Sequence, residues 1–260
     1  VNKKLSIITI NYNNLNGLHR TVESVVNQTW QEFEYIIIDG GSTDGSAEYL
    51  ESQATNFDYW ISEPDTGIYN AMNKGIQKAT GEYLLFLNSG DHLFSSTVLL
   101  ENHEFLKEKD LLYFNIEVVE CAQISIKSYP DTLTFHYFTT HSLPHPATFT
   151  RATVFNQVGL YDEELKIASD WKFSILSICK FGCTYAKIDK TMSVFYLDGQ
   201  SSIPENVDLI YKERKKVLED EFALFVTDAL EITYLRDIVC NLRKSRKIKW
   251  LIKLGLIDSF

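Results

Sequence analysis

Four aspartates sit where a chain can hold a carboxylate still: Asp39, Asp65, Asp91 and Asp170. Asp91 ends the stretch Gly81-Glu-Tyr-Leu-Leu-Phe-Leu-Asn-Ser-Gly-Asp91, in which Tyr83 to Leu87 form an apolar run that Asn88, Ser89 and Gly90 stop. A run this short and this apolar reads as a strand covered on both faces. A carboxylate at its end can take a divalent cation through oxygen ligation, and the cation can hold a diphosphate. Asp39 follows the apolar run Tyr35 to Ile38, and Asp65 lies in Glu63-Pro-Asp-Thr-Gly67 just before a helical pattern. Asp170, in Ala168-Ser-Asp170, precedes the helical run Trp171, Ile175, Leu176 and Ile178. Such a set can divide three tasks: accepting the imide N–H of a base, holding a cation across a diphosphate and deprotonating a hydroxyl. Each carboxylate also has a plainer use. Asp39 and Asp65 can support their own turns, and Asp91 and Asp170 can cap helices.

The elements that must position these groups alternate. Leu5 to Ile10 is a β-branched run that gives way to the turn formers Asn11-Tyr12-Asn13-Asn14, and Leu18, Val22, Val25 and Val26 follow at helical spacing, with Asn16 as a cap and an end near Gln28. Tyr35 to Ile38 and the helical Ser46 to Ser52 repeat the unit across Asp39-Gly-Gly-Ser-Thr-Asp-Gly45, as a parallel βαβ crossover requires. An extended piece near Tyr59 to Ser62, a helix over Ile68 to Ala79 and the strand ending at Asp91 complete this half. Asp44 reads as structural within its turn. Beyond it, Val98 to Lys107 reads as a helix, Leu111 to Val119 as a strand, and Ile124 to Thr140 as strand-like with a break at Pro130. Ala147 to Thr150 is expected as an edge strand, Cys183 to Ile188 and Met192 to Tyr196 as a closing pair, and everything from Glu205 onward as helix. In a doubly wound sheet the strand ends converge on one crevice, so sequence distance does not keep the four aspartates apart.

Composition narrows the classes. A 260-residue chain with 45% apolar residues can bury a large α/β core. No stretch reaches the roughly 18 to 20 apolar residues of a membrane span, and Val1-Asn-Lys-Lys-Leu5 lacks a signal-peptide block, so a cytoplasmic protein is expected. Cys121, Cys179, Cys183 and Cys240 show no zinc spacing and predict no disulfide framework. A net charge of −10 argues against nucleic acid as a partner. From Arg236 onward seven basic and two acidic residues give +5, against 18 basic and 33 acidic before it, a net of −15.

The segments Ser6-Ile-Ile-Thr-Ile-Asn-Tyr-Asn13, Ile38-Asp-Gly-Gly-Ser-Thr-Asp-Gly-Ser46, Asp65-Thr-Gly-Ile-Tyr-Asn-Ala-Met-Asn-Lys-Gly75 and Gly81 to Asp91 resemble, in order and spacing, family 2 glycosyltransferases of the GT-A fold. The resemblance covers the first hundred residues strongly and thins through residue 202. It implies a Rossmann-like, mostly parallel central sheet flanked by helices, with 1–204 as the transferase domain (nucleotide-sugar half 1–110, acceptor half 111–204) and 205–260 as a helical, basic extension. It also implies an inverting transfer of one sugar from a nucleotide donor, UDP-linked by family preference, to a saccharide or lipid-linked saccharide in surface glycan synthesis. Tyr12 and Asp39, with Asn11 beside them, are then expected at the donor base, and Asp65 and Lys74 along the nucleotide. Asn88, Ser89, Gly90 and Asp91 occupy the DXD position, where Asp91 would hold Mn²⁺ or Mg²⁺. Asp170 falls at the position of the catalytic base.

Two departures stand out. The family's paired acids after the second strand are Asp39 and Gly40 here, and its DXD is reduced to Asp91 alone. Lys74 is otherwise a solvated helix lysine, and His145, between two prolines in Thr139-Thr-His-Ser-Leu-Pro-His-Pro146, is either a contact to acceptor or diphosphate or plain surface. The loop Asp198 to Ser202 can close over the donor or simply turn. In the basic segment 243–254, Ile248, Leu251, Ile252, Leu254 and Trp250 interleave with lysines and arginines, a pattern for peripheral membrane contact or for a helix packed on the domain. Two other functions stay open at this stage: a non-catalytic nucleotide-sugar-binding or scaffold subunit, and nucleotidyl transfer to a sugar phosphate, which the absence of an early basic Gly-rich loop disfavours.

Overall fold

The computed structural model describes residues 3–120, 123–197, 199 and 203–258. Its core is a nine-stranded mixed sheet. The first four strands are β1 (Leu5–Asn11), β2 (Phe33–Asp39), β3 (Tyr59–Ser62) and β4 (Tyr83–Phe86), and β1 pairs in parallel with both β2 and β4 while β3 extends β2. Leu5, Ile7, Ile8, Ile36, Ile37, Ile38, Leu84 and Leu85 are each at most 1% exposed, which is why these runs are apolar throughout rather than alternating. Between the strands lie α1 (Leu15–Val26), α2 (Ser46–Ser52) and α3 (Ile68–Lys78). The cap of α1 is Asn14, whose side chain accepts from the Gly17 N–H, rather than the expected Asn16. Asp44 is structural as expected: it accepts from the Leu15 N–H at 2.8 Å and from Ser46, tying α1 to α2.

The second half departs further from expectation. After β5 (His92–Leu93) and the short α4 (Val98–Asn102), β6 (Leu111–Glu120) turns back into β7 (Gln123–Lys127). The strand-like reading stops there. Residues 135–140 form α5 (Phe135–Thr140), because Thr134 caps the Tyr137 N–H and Phe138 supplies a buried face. The expected edge strand, β8 (Thr148–Arg151), is interior, antiparallel to both β4 and β6. The expected closing pair is one strand, β9 (Tyr185–Tyr196), parallel to β6. Its polar Asp189-Lys190 dipeptide is absorbed as a bulge, since the register passes from Phe114 opposite Ile188 to Asn115 opposite Thr191, and Asn115 donates to Asp189 at 3.0 Å.

Helices α6 (Ala152–Val158) and α7 (Ser169–Ile175) cover this half. Helix α8 (Val207–Lys244) follows, broken at Phe222, whose ring packs 5.2 Å from that of Phe135, and α9 (Arg246–Lys253) ends the order. No helix among the described residues is long and apolar enough to cross a membrane. Of the loop 198–202 only Gly199 is described, so its expected closure over a donor lies outside the described residues, as does Cys121.

Candidate active site

Asn11, Asp39 and Ser62 end three adjacent parallel strands and are joined there. The Asp39 carboxylate, with no exposed surface, accepts from Asn11 Nδ2 at 2.7 Å, Ser42 Oγ at 2.6 Å, Ser42 N at 2.9 Å and Ser62 Oγ at 2.6 Å. Each oxygen takes two donors, which fills the four acceptor sites of a carboxylate. The structure therefore places Asp39 behind the crevice, fully engaged in supporting the loop 40–42. The groups that face outward are its neighbours. Tyr12 is 66% exposed, and a β-carbon built on Gly40 would lie 3.2 Å from Tyr12 Cδ2 and 2.5 Å from Asp65 Oδ2. The carboxylate of Asp65 thus occupies space that any side chain at position 40 would need. Asp65 also accepts from the Gly67 N–H at 2.9 Å. Lys74 pairs with Glu63 at 2.7 Å and donates to the Pro64 carbonyl at 3.2 Å, so its charge braces the loop that carries Asp65.

The 88–91 turn leaves β4 beside β1, with the Ser89 N–H on the Ile10 carbonyl at 3.0 Å. Gly90 has φ of +112°, a conformation that side chains disfavour, and its N–H donates to Thr21 Oγ1, which lies 2.6 Å from the Asp91 carbonyl oxygen. Helix α1 thereby clamps the turn, and Asp91 is 8% exposed. Among the described residues no group of three or more His, Cys, Asp or Glu could hold a metal ion. Nearby, however, Asn88 Oδ1 is buried without a hydrogen-bond partner. One carboxylate and one amide oxygen are hard donors that suit Mg²⁺ or Mn²⁺ only where substrate phosphates and waters complete the shell, and these residues fit that kind of site.

On the other side, Asp170 lies in the first turn of α7, where Ala168 and not Asp170 is the N-cap residue. Instead its Oδ1 lies 3.0 Å from the Tyr69 hydroxyl, whose proton is shared with the Ile167 carbonyl at 2.5 Å. Burial, and then the Asp170 carboxylate, raise the Tyr69 pKa well above the ordinary phenol value, so Tyr69 remains a donor. Asp170 lines a cavity of about 1160 Å³ together with Ser142, His145, Ile167, Tyr196 and Arg214. His145 stacks on Phe86 and its Nε2 lies 3.2 Å from the Tyr161 hydroxyl. Burial lowers its pKa against the opposing pull of Asp170, so the imidazole is neutral near pH 7.

Several residues that shape the site gave no clear signal in the sequence. Asn70 and Asn73 of α3 donate to Glu163 at 2.9 and 2.8 Å, joining the helix that starts beside Asp65 to the segment that leads to Asp170. Two asparagines three apart inside a helix were the available hint, because Asn is poor there without a partner. Glu213 of α8 accepts the backbone N–H groups of Lys166 at 2.6 Å, Ile167 at 3.1 Å and Ala168 at 2.9 Å. Nothing in Glu213-Arg-Lys-Lys216 separates that glutamate from a solvated helix charge.

Known proteins share this arrangement of strands. Staphylococcus aureus TarS in complex with UDP-GlcNAc superimposes with a TM-score of 0.65 at 21% identity, over 83% of this chain and 66% of that one. The mannosyltransferase of Pyrobaculum calidifontis in complex with GDP-Man and Mn²⁺ gives 0.61 at 13% identity, over 97% and 79%. In sequence, an uncharacterized glycosyltransferase of Mycobacterium tuberculosis is 34% identical over 197 residues, 72% of this chain and 75% of its own. A PGL/p-HBAD biosynthesis glycosyltransferase of Mycobacterium bovis is 30% identical over 177 residues, 65% and 68% of the two chains. The model of glycosyl transferase family 2 matches residues 6–150, from β1 through the crevice at the strand ends into the interior strand β8, and the chain belongs to that family.

Proposed function

We propose that this glycosyltransferase moves one hexosyl or N-acetylhexosaminyl unit, with inversion, from a UDP-linked donor to a saccharide or lipid-linked saccharide acceptor. The observation that carries the reading is Asp170 on the wall of a large cavity, held by Tyr69 from the helix that starts beside the donor-side crevice. Asp170 takes the proton of the acceptor hydroxyl as its oxygen attacks the anomeric carbon. The bond from that carbon to the diphosphate breaks on the opposite face, and its electron pair leaves with the phosphate. Tyr12 offers its exposed ring to the base. Asp65, whose carboxylate stands beside Tyr12, accepts the imide N–H, because Asp39 has no acceptor site to spare. Asp91 with Asn88 would hold a divalent cation, which supplies neutralising charge for the departing diphosphate. Asn11 and Lys74 order the two loops, and neutral His145 faces the acceptor.

Exposed Trp250, beside the basic residues of α9, suits peripheral contact with an anionic membrane face, which fits a lipid-linked acceptor on the cytoplasmic side. The test is nucleotide release and sugar transfer by purified protein with a panel of UDP- and GDP-sugars in Mn²⁺. Asp170→Asn should lower turnover by about 10²- to 10⁴-fold, the usual worth of a general base, with donor affinity within about two-fold. Donor binding without turnover in any acceptor mixture would favour a binding subunit, and an active Asp170→Asn protein would remove Asp170 from the mechanism.

A further inference from the structure

Beyond Asp170, the cavity contains a second strongly polar group that the proposed chemistry does not use. Arg214 enters it from α8, one residue after Glu213. Its guanidinium lies 5.0 Å from the Trp171 ring, and among the described residues it makes no hydrogen bond and no ion pair within 4 Å. Its Nε is buried without a partner. An unspent guanidinium is costly to desolvate, and its planar fork of N–H donors matches a carboxylate or a phosphate. The negative charge that acts on it is Asp170, which Tyr69 already holds. Two exposed charges also line the cavity, Glu120 and Lys127, and the Lys127 ammonium sits over the Tyr129 ring at 5.6 Å. The partly buried cation near the base is thus Arg214 alone among the described lining residues.

We propose that Arg214 makes this cavity a subsite for an anionic group, phosphate or carboxylate, carried by the acceptor close to its accepting hydroxyl. The proposal rests on the reading of this cavity as the acceptor site. An anion there would accept from the Arg214 N–H groups in charge-assisted hydrogen bonds, stronger than those a neutral sugar hydroxyl accepts, and would stand on the Arg214 side of Asp170 while the hydroxyl meets the base.

The experiment is calorimetric titration of the full chain with glucose, glucose 6-phosphate and glucuronate, each with and without saturating UDP. Wild-type protein should bind one or both anionic sugars at least ten-fold more tightly than glucose. Arg214→Gln should bring that preference down to about two-fold, Arg214→Lys should keep part of it, and UDP affinity should hold in both. Melting temperatures of the variants separate a folding defect from a binding one, and Arg214→Lys serves where the glutamine variant is unstable. Equal binding of the three sugars by wild-type protein would overturn the proposal, as would a preference that survives in Arg214→Gln. A parallel loss of UDP affinity in Arg214→Gln would also overturn it, assigning the guanidinium to the donor diphosphate. A wild-type protein that binds no UDP would instead sink the reading of a UDP-linked donor, and the titrations without nucleotide would still decide the anion preference.

Discussion

The crevice at the strand ends and the cavity beside Asp170 are built over different ranges of chain. At the crevice, Asn11, Asp39 and Ser62 end neighbouring parallel strands, and short loops hydrogen-bond across the strand ends. At the cavity, Asp170 is held by Tyr69, about a hundred residues earlier, and the backbone before it by Glu213, some 45 residues later. A wall made of strand ends inherits its geometry from the sheet ladder. A wall made of loops and helix starts needs separate fastenings, and each fastening is a place where one substitution can loosen Asp170.

That contrast can be broken most directly at Glu213. Glu213→Ala leaves three backbone N–H groups without their carboxylate, so a loss of about 2–3 kcal/mol is expected, a fall in Tm of roughly 5–10 °C. Turnover should fall as well, with donor affinity preserved. Stability loss with unchanged kcat per folded molecule would reduce α8 to a buttress. Tyr69→Phe removes only the hydroxyl between the Ile167 carbonyl and Asp170. About a ten-fold lower kcat is expected, equivalent to roughly 1.4 kcal/mol, and the measurement is kcat against KM for the donor; a change in donor KM alone would place Tyr69 on the other wall.

Gly40→Ala sharpens the comparison from the donor side. The new methyl group would contest the position of Asp65 Oδ2, which can swing away, so the fold should keep its Tm while nucleotide affinity falls roughly three- to ten-fold, about 1 kcal/mol. Isothermal titration with UDP reads it, and undiminished affinity would remove Asp65 from base recognition. The smallest effect concerns pH. The His145 pKa lies below its ordinary 6.5 in the folded protein, chiefly through burial, so the unfolded chain takes up a proton first as pH falls. Its contribution to stability is complete above 6.5 and is lost as pH drops through the depressed folded value. His136 shifts the same way, through burial and then Arg236 and His141. Melting curves between pH 7.5 and 5.5 should therefore slope less in His145→Gln than in wild type, and parallel slopes would leave His136 as the titrating group.

Much of the strand-end crevice was legible because its signals are local. Continuous apolar runs marked β1, β2 and β4, and polar turns marked their ends, rich in Asn after β1 and carrying Gly after β2 and β4. The division of labour among the acids was less visible. That Asp39 is saturated by four donors follows from the approach of Ser42 and Ser62, and that Gly40 leaves room for Asp65 follows from the packing of two loops. The two departures noted in the sequence therefore have different standing. Gly40 is matched by a carboxylate that enters from residue 65, whereas Asp91 remains the lone acid of its turn.

Farther along the chain, local reading met tertiary competition. Cys183 to Ile188 and Met192 to Tyr196 read as a pair of strands, yet β6 offered a partner long enough to carry both as β9, with Asp189-Lys190 in a bulge. Residues 135–140 carry aromatic and threonine side chains that favour strands, but a Thr134 cap and the burial of Phe138 made them helical.

By itself the sequence determined the alternation of strand and helix, the polar stops at the strand ends and the motifs that mark the family, because each rests on side chains close together along the chain. Tertiary structure alone decided which carboxylates face the crevice, which lysine is spent on a loop, and that Glu213 of a charged helix reaches the backbone before Asp170 while Arg214 reaches the cavity beside it. The physical reason is that acceptor capacity, burial and the pairing of charge depend on which groups meet in space, and along this chain those groups lie tens of residues apart.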